Sequence, residues 1–182
     1  MTLRNIRQLN SQIRIPKVMG KVLFNSNMSS LTWLKAGGEA KVFYSPLDIL
    51  DLQYFLTKLD SEIAVYILGG GSNTLFRDSG YDGVVIKLNK KFDYLNIINK
   101  KKIKVGAATN CIKLARTLAN NGIGGLEFLS GIPGTVGGAI KMNAGAYGNE
   151  TSNFLDEIKV INRMGKIKNI LAKKYNMSYR ET

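Results

Sequence analysis

Glycine is concentrated in two stretches of this chain, and they limit what it can fold into. The first is Gly69-Gly70-Gly71-Ser72-Asn73. The second is Ser130-Gly131-Ile132-Pro133-Gly134-Thr135-Val136-Gly137-Gly138-Ala139, which leads into Asn143-Ala144-Gly145-Ala146-Tyr147-Gly148. Residues without a Cβ reach positive φ and let main-chain N–H groups approach a ligand closely. Neither stretch suits the interior of a strand, and the strand-like Val65-Tyr66-Ile67-Leu68 runs directly into the first. The pattern predicts loops at strand ends whose backbone donors cradle two adjacent phosphates.

The common nucleotide fingerprints do not fit. A G-x-G-x-x-G reading begun at Gly69 would need its last glycine where Thr74 stands, and no Gly-Lys-Ser/Thr ends a P-loop in the chain. Neither a Rossmann nor a Walker phosphate site is present.

Periodicity supplies the surrounding elements. Ser45-Pro46 reads as an N-cap followed by proline in the first turn, and Ile49, Leu52, Leu56 and Leu59 recur at helical spacing, predicting a helix over residues 46–59. Strands are expected over 40–44, 64–68 and 83–88. Further on, 102–105 reads as a strand. Asn110 caps a helix with Ile112, Ala115, Leu118 and Ala119 on one face, stopped by Asn121-Gly122. Residues 156–161 and 167–171 alternate around a turn at 163–166, a β-hairpin. Residues 1–27 are basic and without clear periodicity, and read as a loosely docked arm.

Composition excludes more than it assigns. With 182 residues and 45% hydrophobic content the chain can bury a core. It has no histidine and one cysteine, Cys111, which rules out a Ser-His-Asp triad, a Cys-His pair, an imidazole base and an internal disulfide. Electron or group transfer would therefore have to come from an organic cofactor. No apolar run is long enough to span a bilayer and no signal-peptide pattern opens the chain, so cytoplasmic placement is expected without a membrane partner. The net charge of +13 invites a nucleic-acid reading, but the lysines are scattered. The densest run, Lys100-Lys101-Lys102-Ile103-Lys104, reads as a turn and strand edge. No nucleic-acid partner is expected, although the charge would favour an anionic small molecule.

The combination resembles one family, that of UDP-N-acetylenolpyruvoylglucosamine reductase, a flavoenzyme of peptidoglycan precursor synthesis. The likeness is carried by Leu31-Thr32-Trp33, Gly37-Gly38-Glu39-Ala40, residues 69–73 with Arg77-Asp78, the block 125–148, and Tyr179-Arg180. It implies an α+β, two-lobed FAD-binding domain of the vanillyl-alcohol-oxidase-like type, with lobes at 28–90 and 91–182. It implies FAD as cofactor, NADPH as reductant and a UDP-sugar as substrate. The Phe128-Leu129-Ser130-Gly131 wording is similar to the subgroup that lacks a tyrosine-bearing lid. The family continues past its Tyr-Arg motif into a substrate domain carrying a proton-donating serine and an assisting glutamate, whereas this sequence stops at Thr182. A fragment, a half whose C-terminal partner is separately encoded, and a degraded copy all remain open, as does a flavin-binding module without turnover.

The resemblance makes Gly69, Gly70, Gly71, Ser72, Asn73, Ser130, Gly131, Ile132, Pro133, Gly134, Thr135, Gly137, Gly138, Ala139, Asn143, Ala144 and Gly145 the cofactor-binding candidates. Ser72 and Asn73 add side-chain donors to the backbone ones, and Pro133 fixes one φ in a turn expected to expose its N–H groups. Arg180 is the catalytic candidate and, with Tyr179, the substrate-binding one, its guanidinium suited to a carboxylate. Tyr147 reads equally as core or ligand contact, Glu127 as a structural acceptor for nearby amides, and Cys111 as a reactive thiol or a buried filler.

Overall fold

A computed structural model describes residues 13–174. Strands β1 (Lys21–Asn27), β2 (Glu39–Ser45), β3 (Val65–Ile67) and β4 (Tyr81–Ile86) form a sheet in the order β1-β2-β4-β3. β1 runs antiparallel to β2, while β2 and β3 flank β4 in parallel. Val84, Val85 and Ile86 are fully buried. A central parallel strand covered on both faces reads as a continuous apolar run, as here, rather than as alternation.

Helix α1 (Ile49–Lys58) packs Leu52, Phe55 and Leu56 onto Val42, Tyr44, Val84 and Ile86. The opposite sheet face presents Ala40, Phe43 and Val85 to Met28, Leu68 and Phe76. The α1 cap differs from the expected one. Ser45 ends β2, and Asp48 caps the helix instead, its Oδ1 accepting the N–H groups of Leu50 and Asp51 at 2.9 and 3.0 Å. A carboxylate there also meets the positive end of the helix dipole.

Residues 1–12 of the basic arm expected over 1–27 lie outside the described residues, and the remainder is corrected. Lys21–Asn27 is an edge strand, and the segment before it is pinned by Asp51. That buried carboxylate accepts the N–H groups of Met19, Gly20 and Leu47 at 2.8, 2.9 and 2.9 Å and the Tyr44 hydroxyl at 2.7 Å. Burial alone would raise the Asp51 carboxyl, but these donors outweigh it and hold it below the usual carboxylate range. Tyr44 in turn stacks on Phe55 with centroids 4.1 Å apart. The pinning follows from charge. A buried carboxylate is tolerated only when its lone pairs are filled, and the chain before β1 supplies two of the four donors.

The second lobe adds a hairpin, β5 (Leu95–Asn99) and β6 (Lys102–Val105), of which only β6 was expected. Helix α2 (Cys111–Asn120) is capped by Asn110, whose Oδ1 accepts the Lys113 N–H at 2.9 Å, and stops at Asn121-Gly122. Its face of Cys111, Leu114, Ala115 and Leu118 packs on Phe128, Leu129, Ile132, Val136 and Ala139. A short helix α3 (Val136–Lys141) lies inside the second glycine stretch, where the sequence predicts a loop. The small pair β7 (Gly145–Ala146) and β8 (Asn149–Glu150) precedes the expected hairpin, β9 (Glu157–Ile161) and β10 (Ile167–Leu171).

The β9–β10 turn folds back onto the first lobe. Gln53 Nε2 donates to the Gly165 carbonyl at 3.0 Å, and Arg163 donates to the carbonyls of Asp60, Ser61 and Ile63 at 3.3, 3.3 and 2.7 Å. The α+β class matches expectation. Among the described residues no helix is long and apolar enough to cross a membrane.

Candidate functional site

The first glycine stretch leaves β3 at the carboxyl end of the parallel sheet, where open parallel sheets place their ligands. Three contacts shape it. Gly71 has φ +72°, and a Cβ there would collide with the Leu31 carbonyl, so only glycine fits without strain. The Gly71 carbonyl accepts the Trp33 N–H at 3.0 Å, which ties the Leu31-Thr32-Trp33 motif to the loop. A Cβ on Gly70 would lie 2.7 Å from the Gly134 Cα, so the two glycine stretches touch main chain to main chain.

That contact is reinforced by Ser72, whose Oγ donates to the Pro133 carbonyl at 3.0 Å. Thr135 Oγ1 would lie 3.0 Å from a Cβ on Gly69. The candidates from Gly69 to Ser72 and from Pro133 to Thr135 are therefore brought together by the fold, although 61 residues separate Ser72 from Pro133.

The main-chain donors divide sharply. Among the described residues, no N–H of residues 69–73 reaches a protein acceptor, and the same holds for Gly134 and Thr135. Buried or half-buried amides are normally paired, so a row of this kind is directed at a ligand or solvent. The donors of α3 are committed instead. Val136 gives its N–H to Thr109 O at 2.8 Å, Gly137 to Ala107 O at 2.9 Å, Gly138 to Thr135 Oγ1 at 3.3 Å and Ala139 to Thr135 O at 2.8 Å. The expectation of freely exposed amides through Ala139 is corrected to this extent, because the stretch turns helical after Thr135 and uses its donors internally.

The remaining candidates fall around this centre. Ser130 and Gly131 end a short 3-10 helix, Glu127–Gly131, and Ile132 is buried in the core of the second lobe. Asn143 is buried, with φ +39°. Its Nδ2 donates to Glu150 at 2.8 Å and its Oδ1 accepts the Ser152 N–H at 2.9 Å, so its side chain braces the β7–β8 turn. Ala144 and Gly145 follow it, and the Ala144 carbonyl accepts from the Thr151 hydroxyl at 2.7 Å. Tyr147 is 82% exposed, which removes it from the core; its ring lies over Gly131. Glu127 accepts the Gly125 N–H at 2.8 Å, the structural role expected of it. Cys111 is fully buried and burial pushes its thiol up to about 11, so it is a filler and not a reactive thiolate. Tyr179 and Arg180 lie outside the described residues.

Sequence reasoning missed Lys87. It follows the last residue of β4, is half-buried, and its Nζ donates to the Gly69 carbonyl at 2.9 Å. The available signal was a lysine directly after the apolar run Val84-Val85-Ile86, at the carboxyl end of the parallel strands.

Comparison with known proteins agrees with this geometry. The FAD binding domain family matches residues 40–170. Over 176 residues the chain is 44% identical to the UDP-N-acetylenolpyruvoylglucosamine reductase of Orientia tsutsugamushi (strain Ikeda), covering 95% of this chain and 58% of that protein. It is also 44% identical over 169 residues to the same-named protein of Caulobacter sp. (strain K31), covering 93% and 55%. The chain thus spans somewhat over half the length of these relatives. The crystal structure of the Thermus caldophilus reductase superposes with a TM-score of 0.72 at 29% identity, over 91% of this chain and 57% of that one. The 6-hydroxy-D-nicotine oxidase of Arthrobacter nicotinovorans, at 16% identity and TM-score 0.63 over 90% of this chain and 38% of that one, shares the fold. With an α+β fold of this type and a glycine-built donor row at its sheet end, the chain belongs to the FAD binding domain family.

Proposed function

We propose that the chain binds FAD with the diphosphate against residues 69–73, Gly134 and Thr135, within lobes that divide near residue 90. The carrying observation is the row of five successive main-chain N–H groups without a protein acceptor, held open where Gly70 meets Gly134. Such amides carry partial positive charge and can approach phosphate oxygens without a side chain between. The hydroxyl of Ser72 ties the two loops together, and the Thr135 cap fixes the start of α3 beside them. Residues 137–139 form the wall behind the donors, and Ser130, Gly131 and Gly145 extend the surface along the cofactor, with Asn143 and Ala144 bracing it from beneath. FAD supplies two-electron redox chemistry when bound.

For the protein as a whole we propose reduction of UDP-N-acetylglucosamine enolpyruvate to UDP-N-acetylmuramate with NADPH. The similarity to the named reductases supports this reading. In it, Tyr179 and Arg180 bind the substrate, the Arg180 guanidinium pairing with its carboxylate and offsetting negative charge that builds beside it.

An absorbance spectrum of the purified chain, before and after titration with FAD, tests the first reading. Flavin bands that travel with the protein are expected, and a colourless chain that takes up no FAD overturns it. NADPH oxidation that depends on the enolpyruvyl sugar tests the second. Flavin uptake without that oxidation would leave a binding module that does not turn over.

A further inference from the structure

The ammonium of Lys87 lies half-buried against the back of the first glycine loop, 2.9 Å from the Gly69 carbonyl. Three ion pairs occur among the described residues, Lys41–Asp82, Lys102–Asp156 and Lys113–Asp93, and none involves Lys87. Burial lowers its affinity for a proton, and no carboxylate offsets this. A cation withdrawn from water without a counter-charge is costly, and a fold that keeps one gains where an anion arrives.

Peptide geometry says what the contact does. In a trans peptide the carbonyl of one residue and the N–H of the next lie in one plane and point in opposite directions. Fixing the Gly69 carbonyl toward Lys87 therefore turns the Gly70 N–H away from it. Gly70 belongs to the donor row, and glycine peptides rotate with little resistance. Without an anchor the 69–70 peptide would be free to flip its donor inward.

We propose that Lys87 is the electrostatic partner of the cofactor's diphosphate, anchoring the 69–70 peptide so that Gly70 presents its N–H and supplying charge that the described chain leaves uncompensated. The proposal rests on the FAD reading above and adds a residue to it.

The test is a flavin titration of the 182-residue chain and its variants, followed by fluorescence quenching, with FAD and riboflavin compared because they share the ring system and ribityl chain while only FAD carries the diphosphate and its adenosine. Lys87→Met is expected to weaken FAD at least tenfold while changing riboflavin less than twofold, and Lys87→Arg to restore FAD to within threefold. Equal FAD affinity in wild type and Lys87→Met overturns the role of Lys87 and leaves the FAD site standing. Equal losses for FAD and riboflavin overturn it too, since they mark a structural contact alone. A wild-type chain that takes up no flavin overturns the FAD reading itself and Lys87 with it. If Lys87→Met lacks a native far-ultraviolet spectrum, Lys87→Gln replaces it under the same criteria.

Discussion

The two glycine stretches look alike in the sequence and behave differently in the structure. In residues 69–73 the glycines leave amides without protein partners, whereas from Val136 to Ala139 every N–H is spent on Thr109, Ala107 or Thr135. In the first, small residues leave the backbone donors uncommitted, as the proposed FAD site requires. In the second, they let a helix pack closely: a Cβ on Gly137 would lie 3.0 Å from the Ala107 carbonyl, pointing into the protein. Glycine content alone does not distinguish binding from packing; the destination of each N–H does.

The strongest way to break this contrast is Gly70→Val. A branched Cβ would be driven against the Gly134 Cα and part the loops, so the purified variant should retain no FAD. Undiminished flavin absorbance would show that the 69–73 row is not the site.

A second test uses pH, on the thiol beneath the other stretch. Cys111 gives its N–H to the Gly134 carbonyl, and its thiol is pushed up to about 11 from an ordinary value near 9. Above pH 9 the unfolded chain loses this proton while the folded chain keeps it, so stability falls as pH rises from about 9 to about 11, by roughly 2–3 kcal/mol. Tyr44, also raised, acts in the same direction above its ordinary range, and Lys87, lowered, acts in the opposite one. The difference between wild type and Cys111→Ala in urea unfolding at each pH isolates the thiol, and parallel curves would contradict its burial.

Thr135→Ala removes the α3 cap and should cost about 1 kcal/mol in the same assay while weakening FAD less than tenfold. A larger loss of FAD than of stability would make the Thr135 hydroxyl a ligand contact. The smallest effect is expected from Gly137→Ala. Removing a glycine from a helix gains up to about 1 kcal/mol, and the close Ala107 carbonyl takes most of it back. Net stability should change by less than about 1 kcal/mol and FAD affinity by less than threefold. A tenfold loss of affinity would place the second stretch among the donors.

Much of this was legible in the sequence because it is local. The Asn110 cap, the stop at Asn121-Gly122 and the hairpin around Gly165 depend on residues within a few positions of one another. The α1 boundary was missed because Ser45 and Asp48 are both capable caps, and strand pairing had already claimed Ser45. Lys21–Asn27 was missed because an edge strand with exposed side chains lacks the alternation that marks a half-buried one. Helix α3 was hidden by its glycines, which have poor helical propensity and are overruled by the Thr135 cap and packing on Ala107. At the site, the candidate loops were visible but their meeting was not, since Gly70 and Gly134 are joined only by the fold.

Arg163 reaches back about a hundred positions to bind the carbonyls that follow α1. The β9–β10 turn, far along the second lobe, is thereby moored to the first. Such a topology carries a large share of distant contacts, which slows folding because chain entropy is lost before those contacts repay it. It also restricts hinge-like opening between lobes, so a dinucleotide lying across their seam would meet a clamp already set in shape.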